Sequence, residues 1–172
     1  MKTHVGAALL LTLVLWPGQA HLSQVHYESI SLEQLVRRSE IIVIATPAGD
    51  AKISKVAVGK DAPDFTYAER PYRVTKVLKG ELSAKENKRL WVAGANLSQQ
   101  FSLHKRYYID KVSKSPIYER YEAGKPVGSG ARLLFLRRIE FQGVAKMAAS
   151  VFAAEEHMAQ RAAVEALLKK PR

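Results

Sequence analysis

The chain has 172 residues, with 27 Lys and Arg against 16 Asp and Glu for a formal charge of +11, 47% hydrophobic residues and no cysteine. That length and balance suit one globular domain with a packed core and exclude collagen-like, coiled-coil and wholly disordered chains. Without cysteine there is no disulfide framework, thiolate nucleophile, Cys-ligated zinc, iron–sulfur cluster or c-type haem attachment.

Residues 1–20 read as a cleavable signal peptide. Lys2 supplies the positive start and residues 5–16 the apolar run; Pro17 follows, and Gly18 and Ala20 occupy the small positions that signal peptidase requires. A spanning helix needs roughly 20 apolar residues, and this run stops short at the proline. The mature chain is then a single β-rich domain, residues 21–172, that begins at His21 and has no membrane span. It is expected in the bacterial periplasm or medium, because secreted eukaryotic domains of this size usually carry disulfides. The positive excess favours encounters with anionic surfaces without selecting among them.

The first predicted element is a helix over residues 32–39. Ser31 and Gln34 have the capping-box spacing, and Ile30 and Leu35 that of a hydrophobic staple. Residues 41–46 are apolar on both faces and end at Pro47, which predicts a buried central strand. A second strand is expected over residues 51–58, a Gly/Asp/Pro loop over 59–64, and the longest strand over 65–79, with Pro71 as a break or edge position. Gly80 ends it. Further strands are expected over 89–93, over 101–109, where Phe101, Leu103, Tyr107 and Ile109 alternate with polar residues, and over 132–137, which 139–144 continues or pairs with. Residues 113–130 read as a loop. Residues 150–170 read as a closing helix, with Glu155 and Glu156 in its first turn and Lys169 and Lys170 in its last. His157 shares a face of that helix with Ala153, Val164 and Leu168. Ile42, Ile44, Val74, Leu133 and Phe135 are expected in one core.

This order predicts an α+β, mainly β fold: a small β-barrel with a short N-terminal and a C-terminal helix. The segments Ser31-Leu32-Glu33-Gln34-Leu35-Val36, Ile41-Ile42-Val43-Ile44, Tyr72-Arg73-Val74-Thr75-Lys76-Val77-Leu78-Lys79-Gly80 and Arg132-Leu133-Leu134-Phe135-Leu136 give the chain a pattern that resembles secreted bacterial domains with an OB-like barrel, of the netrin-like and tissue-inhibitor-of-metalloproteinases-like type. The resemblance implies that fold and carries no site. Those inhibitors chelate zinc through an N-terminal cysteine, and here His21 stands in its place.

Catalytic motifs are absent from the sequence. Gly128-Ser129-Gly130 lacks the spacing of a nucleophile elbow, the glycines at 124, 128 and 130 are not followed by the residues of a phosphate loop, and the histidines form no His-Glu-x-x-His or His-x-His pattern. No cofactor is implied. Two constellations remain. The α-amine and imidazole of a mature His21, completed by His26 or His104, supply nitrogen ligands suited to copper, for a copper carrier or a small metal-dependent enzyme. The other is a cluster of aromatic and basic residues, Tyr107, Tyr108, Lys111, Lys114, Tyr118, Arg120 and Tyr121, joined by Lys105 and Arg106, which holds four of the seven tyrosines. Aromatic rings among cations suit an anionic or glycan-like envelope component or a protein partner. They also suit nucleic acid, against which the export signal argues. The preferred expectation is an exported, non-enzymatic binding or interaction domain.

Overall fold

The computed structural model describes residues 26–111, 117–121, 130–151 and 154–170. The expected signal peptide, His21 and Lys114 lie outside them.

Strand β1 (His26–Ile30) leads into helix α1 (Leu32–Arg38). The capping box forms as its spacing requires: the Gln34 N–H donates to Ser31 Oγ at 3.2 Å, and the Ser31 N–H donates to Gln34 Oε1 at 2.8 Å. The other end of α1 is closed from a distance. Lys79 Nζ donates to the carbonyls of Val36 at 2.8 Å and Arg37 at 3.3 Å, and to that of Ser39. It thereby satisfies acceptors that a helix C-terminus leaves open. Gly80 follows with φ +74°, and a Cβ on it would lie 2.5 Å from the Glu40 carbonyl oxygen, so the Lys-Gly pair is where the chain passes closest to the end of α1.

The remaining strands are β2 (Ile41–Pro47), β3 (Lys52–Val56), β4 (Phe65–Lys79), β5 (Leu90–Ala93), β6 (Ile117–Tyr121), β7 (Arg132–Phe141), β8 (Val144–Ala149) and β9 (Glu155–His157). Helices α2 (Ala84–Lys88) and α3 (Leu97–Lys105) flank β5, and α4 (Arg161–Lys169) closes the described chain. The fold is α+β. Five strands form a closed hydrogen-bonded ring, β2–β4–β5–β8–β7 and back to β2, with β3 on the outer edge of β4 and β9 on β7. All ring pairings are antiparallel except β5–β8, which is parallel. Strand β4 changes partner along its length, from β3 to β5 to β2, and Pro71 sits where it does so, just past the β3 ladder at Glu69 and just before the β2 ladder at Tyr72. There its missing N–H interrupts neither of those two ladders.

Because side chains alternate along a strand, β2 and β7 feed two clusters at once. Ile42, Ile44, Leu133 and Phe135 pack with Leu35 and Val36 of α1 and Val164 of α4. Ile41, Val43, Ala45, Leu134 and Leu136 pack with Tyr72, Leu90 and Met147, so this second cluster draws on every ring strand. Val74 belongs to the second cluster and not, as expected, to the first, because it lies opposite Ala45 and shares that residue's face. A third cluster, Phe65, Ala93, Leu97, Phe141 and Ala148, lies under α3.

Three expected elements differ. Residues 101–109 form no strand: Phe101 to Lys105 end α3, and Arg106–Asp110 continue it as one π-helical turn. Alternation and helical spacing both fit this stretch, and the aromatic third cluster decides between them, since only a helix brings Leu97 and Phe101 together over Phe65 and Phe141. Within the expected loop 113–130, Ile117–Tyr121 is a strand, β6, that pairs in parallel with β1, itself unassigned from the sequence. The closing helix begins only at Arg161. Before it, the Ala154 carbonyl accepts from Phe135 N–H at 3.2 Å and Glu155–His157 pair with β7, so the edge of the sheet captures residues whose composition favours helix. Glu155 and Glu156 therefore stand in no helical turn, and His157 pairs with Arg132 instead of sharing a face with Val164. The capping box of α2, Ser83 with Glu86, is legible in the sequence as Ser-x-x-Glu and lies outside the expected elements.

Candidate functional site

The aromatic and basic segment divides between two places. Tyr107, Tyr108 and Lys111 lie at the C-terminal tip of α3, and Tyr118, Arg120 and Tyr121 lie on β6. Tyr121 belongs to the first cluster beside Ile30 and Val36, whereas α3 rests on the third, so the two halves serve different parts of the core.

On β6, Tyr118 and Tyr121 are buried at 5% and 8% exposure. Burial raises the Tyr118 hydroxyl's pKa above the ordinary tyrosine value, with neighbouring Tyr27 adding to the shift. To solvent this ribbon offers Ile117, 68% exposed, and Tyr27, 46% exposed, both outside the expected set, with the Arg120 guanidinium 5.5 Å over the Tyr27 ring. Parallel register explains the pair: Tyr27 is opposite Tyr118 and Ser29 opposite Arg120, on one face.

The tip of α3 is built more firmly. At the start of the helix Asn96 takes φ +55°, its Oδ1 accepts from Arg137 Nη2 at 3.0 Å, and Ser98 Oγ donates to the Glu140 carbonyl at 3.1 Å, which ties α3 to β7. The Phe101 ring then meets Phe65 at 5.4 Å and Phe141 at 5.5 Å, both edge-on. One turn later His104 packs 5.4 Å from Phe65, and its Nε2 lies 2.8 Å from the Pro63 carbonyl oxygen. A carbonyl only accepts, so Nε2 carries the hydrogen and is committed to that contact. Tyr108, four residues on, lies 4.7 Å from the His104 ring, and Tyr107 stands at 87° to Tyr108 with centroids 4.9 Å apart.

The π turn ends at Lys111, which takes φ +55° and donates its N–H to the Arg106 carbonyl. The turn leaves Tyr108 at 37% and Ile109 at 43% exposure, with Lys105, Arg106, Asp110 and Lys111 all exposed around them. Ile109 also lies against the loop that precedes β4, since a Cβ on Gly59 would meet its Cδ1 at 3.3 Å. The result is a rigidly based tip with two apolar side chains at its centre and cations about them. The helical spacing of Lys105, Tyr108 and Ile109 was the signal for this face, hidden by the strand-like alternation of the same residues.

Beside the third cluster, Lys146 of β8 reaches Glu69 of β4 with Nζ 2.9 Å from both carboxylate oxygens, and lies 5.2 Å from the centroid of the Tyr67 ring. Burial pulls the ammonium's pKa down, but its hydrogen bonds to Glu69 and Tyr67 outweigh that, and Lys146 holds its proton above the ordinary lysine range. The pair ties β8 to β4.

Of the copper residues, His104 is engaged as described, His26 starts β1 on a different element, and His21 lies outside the described residues. Among the described residues no three His, Asp or Glu side chains gather in a way that holds a metal, and no helix is long and apolar enough to cross a membrane. No protein-family model, curated protein or solved structure matches this chain.

Proposed function

We propose that this chain is an exported, non-enzymatic binding domain built on an OB-like barrel, which engages an anionic component of the bacterial envelope through the tip of α3. Two features of the ring support the barrel reading. Numbered among themselves, the five ring strands close in the order 1-2-3-5-4-1, a Greek-key path, and the ring's second cluster takes residues from all five. The netrin-like resemblance accords with that order and with α1 packed ahead of it.

The observation that carries the binding reading is the exposure of Tyr108 and Ile109 among Lys105, Arg106 and Lys111 on a helix anchored by the Phe65, Phe101 and Phe141 rings. In OB-type folds the connection between the first two barrel strands commonly lines the ligand groove, and here the loop at Gly59, which lies within that connection, touches Ile109. The leader places such a surface in the compartment where anionic glycans and headgroups are found.

The test compares two charge reversals of equal size in the secreted protein. Lys105→Glu with Lys111→Glu alters the tip, and Lys85→Glu with Lys88→Glu alters α2, whose lysines are also exposed. Retention on lipopolysaccharide, polygalacturonate and anionic phospholipid vesicles is expected to fall at least tenfold for the tip variant and much less for the α2 variant. Equal losses would reduce the effect to net charge and remove the site. N-terminal sequencing of the same preparation is expected to start at His21, and a retained Met1 would overturn the export reading.

A further inference from the structure

We infer that the anionic component is the phospholipid bilayer surface itself, and that Ile109 and Tyr108 enter its headgroup boundary while Lys105, Arg106 and Lys111 meet the phosphates. The inference rests on the binding reading above and names its partner. Three observations favour a bilayer over an acidic sugar chain.

The first is Ile109. An aliphatic side chain 43% exposed at the centre of a charged tip offers a sugar ring nothing to stack on, but it gains hydrophobic stabilisation when it leaves water for the acyl boundary. The second is ring geometry. Tyr107 and Tyr108 meet at 87°, so they form no continuous flat platform of the kind a pyranose face lies on. A single exposed tyrosine does suit the interface between headgroup and acyl chain, where its apolar body and polar hydroxyl are both satisfied. The third is the arrangement of charge. Lys105 lies one helical turn before Ile109, Arg106 next to it in sequence, and Lys111 just beyond, so cations surround the apolar pair on both sides, with Asp110 between. Each basic residue near an anionic leaflet contributes roughly fivefold in affinity. Two shallow apolar side chains give weak, reversible docking, suited to a domain that works at a surface and is not anchored in it.

The base of the tip fits this use. The Asn96–Arg137 and Ser98–Glu140 hydrogen bonds hold the helix to β7, and the His104–Pro63 contact holds it to the loop at Gly59, so the tip reaches the surface without first being ordered.

The experiment uses the full secreted chain and vesicles of equimolar phosphatidylglycerol and phosphatidylcholine, with pure phosphatidylcholine vesicles and soluble polygalacturonate as the other probes. Co-sedimentation is expected with the mixed vesicles and not with the neutral ones. Ile109→Ser is expected to weaken vesicle binding about tenfold and to leave any polygalacturonate binding unchanged, with the thermal midpoint measured alongside because Ile109 also packs on Gly59. Ile109→Trp keeps an apolar group at that position. It is expected to bind the mixed vesicles more tightly, with the emission of the introduced indole shifting to the blue on contact. Vesicle binding that is indifferent to both substitutions, or an Ile109→Trp variant whose emission does not move, overturns the inference. Binding to polygalacturonate alone, equal for parent and Ile109→Ser, overturns it too but leaves the anionic-ligand reading standing. Binding to none of the probes overturns both.

Discussion

Replacing Lys146 by Met removes one partner of an ion pair that spans β4 and β8 beside the third cluster. The two side chains are 15% and 11% exposed, so solvent screens their interaction little, and Nζ makes two contacts of 2.9 Å to the Glu69 carboxylate. Lys146→Met leaves that carboxylate buried without its cation, a change that costs about 3–5 kcal/mol. For a chain of this length that corresponds to a fall in thermal midpoint of roughly 6–20 °C. Glu69→Leu is expected to cost a similar amount by stranding the ammonium. The double variant Lys146→Met with Glu69→Leu strands neither charge, and is expected to recover most of the loss, because an apolar pair of matching volume often serves as well as a buried ion pair. Chemical denaturation of all four proteins gives the cycle. The pH dependence supplies an independent check. The folded pKa of Lys146 is raised, so its contribution is fully present below the unfolded lysine value and is lost as pH rises through the folded value. Parent stability should therefore decline in the alkaline range by more than that of the double variant. Single substitutions costing under about 1 kcal/mol, the range of exposed pairs, would refute the reasoning.

Three further outcomes follow from packing. Phe135→Ala, at a side chain with 0% exposure in the first cluster, is expected to cost about 3–5 kcal/mol by urea unfolding, and an unchanged midpoint would remove Phe135 from the core. Gly80→Ala combines φ +74° with a Cβ 2.5 Å from the Glu40 carbonyl oxygen, so it is expected to cost more than about 1 kcal/mol and to loosen the junction of α1 and β2; amide exchange at Ser39 and Glu40 reads that directly. Tyr118→Ala with Arg120→Ala is expected to lower the thermal midpoint along with any binding, because Tyr118 is 5% exposed, and spectrophotometric titration should find its phenol ionising above the ordinary tyrosine range; a variant as stable as the parent would return Tyr118 to the surface.

What could be read from the sequence was whatever rests on neighbours within a few residues. The Ser31–Gln34 capping box, the double-faced apolar runs of β2 and β7, the length of β4 and the stop at Gly80 each have a local cause: a side chain reaching the backbone three residues away, or a strand covered on both faces. The aromatic and basic composition of residues 104–121 was equally plain. Its division was not. Burial of Tyr118 depends on the parallel pairing of β6 with β1, two segments far apart in the chain with no hairpin turn to announce them. The choice of helix over strand for residues 101–105 depends on Phe65 and Phe141, and the strand at Glu155–His157 depends on an open edge of β7, both of which exist only once the ring has closed. Local propensity differs between helix and strand by well under 1 kcal/mol per residue, less than a single buried aromatic contact or a row of ladder hydrogen bonds contributes. At these places tertiary packing therefore set both the secondary structure and the set of tyrosines and cations that reaches the surface.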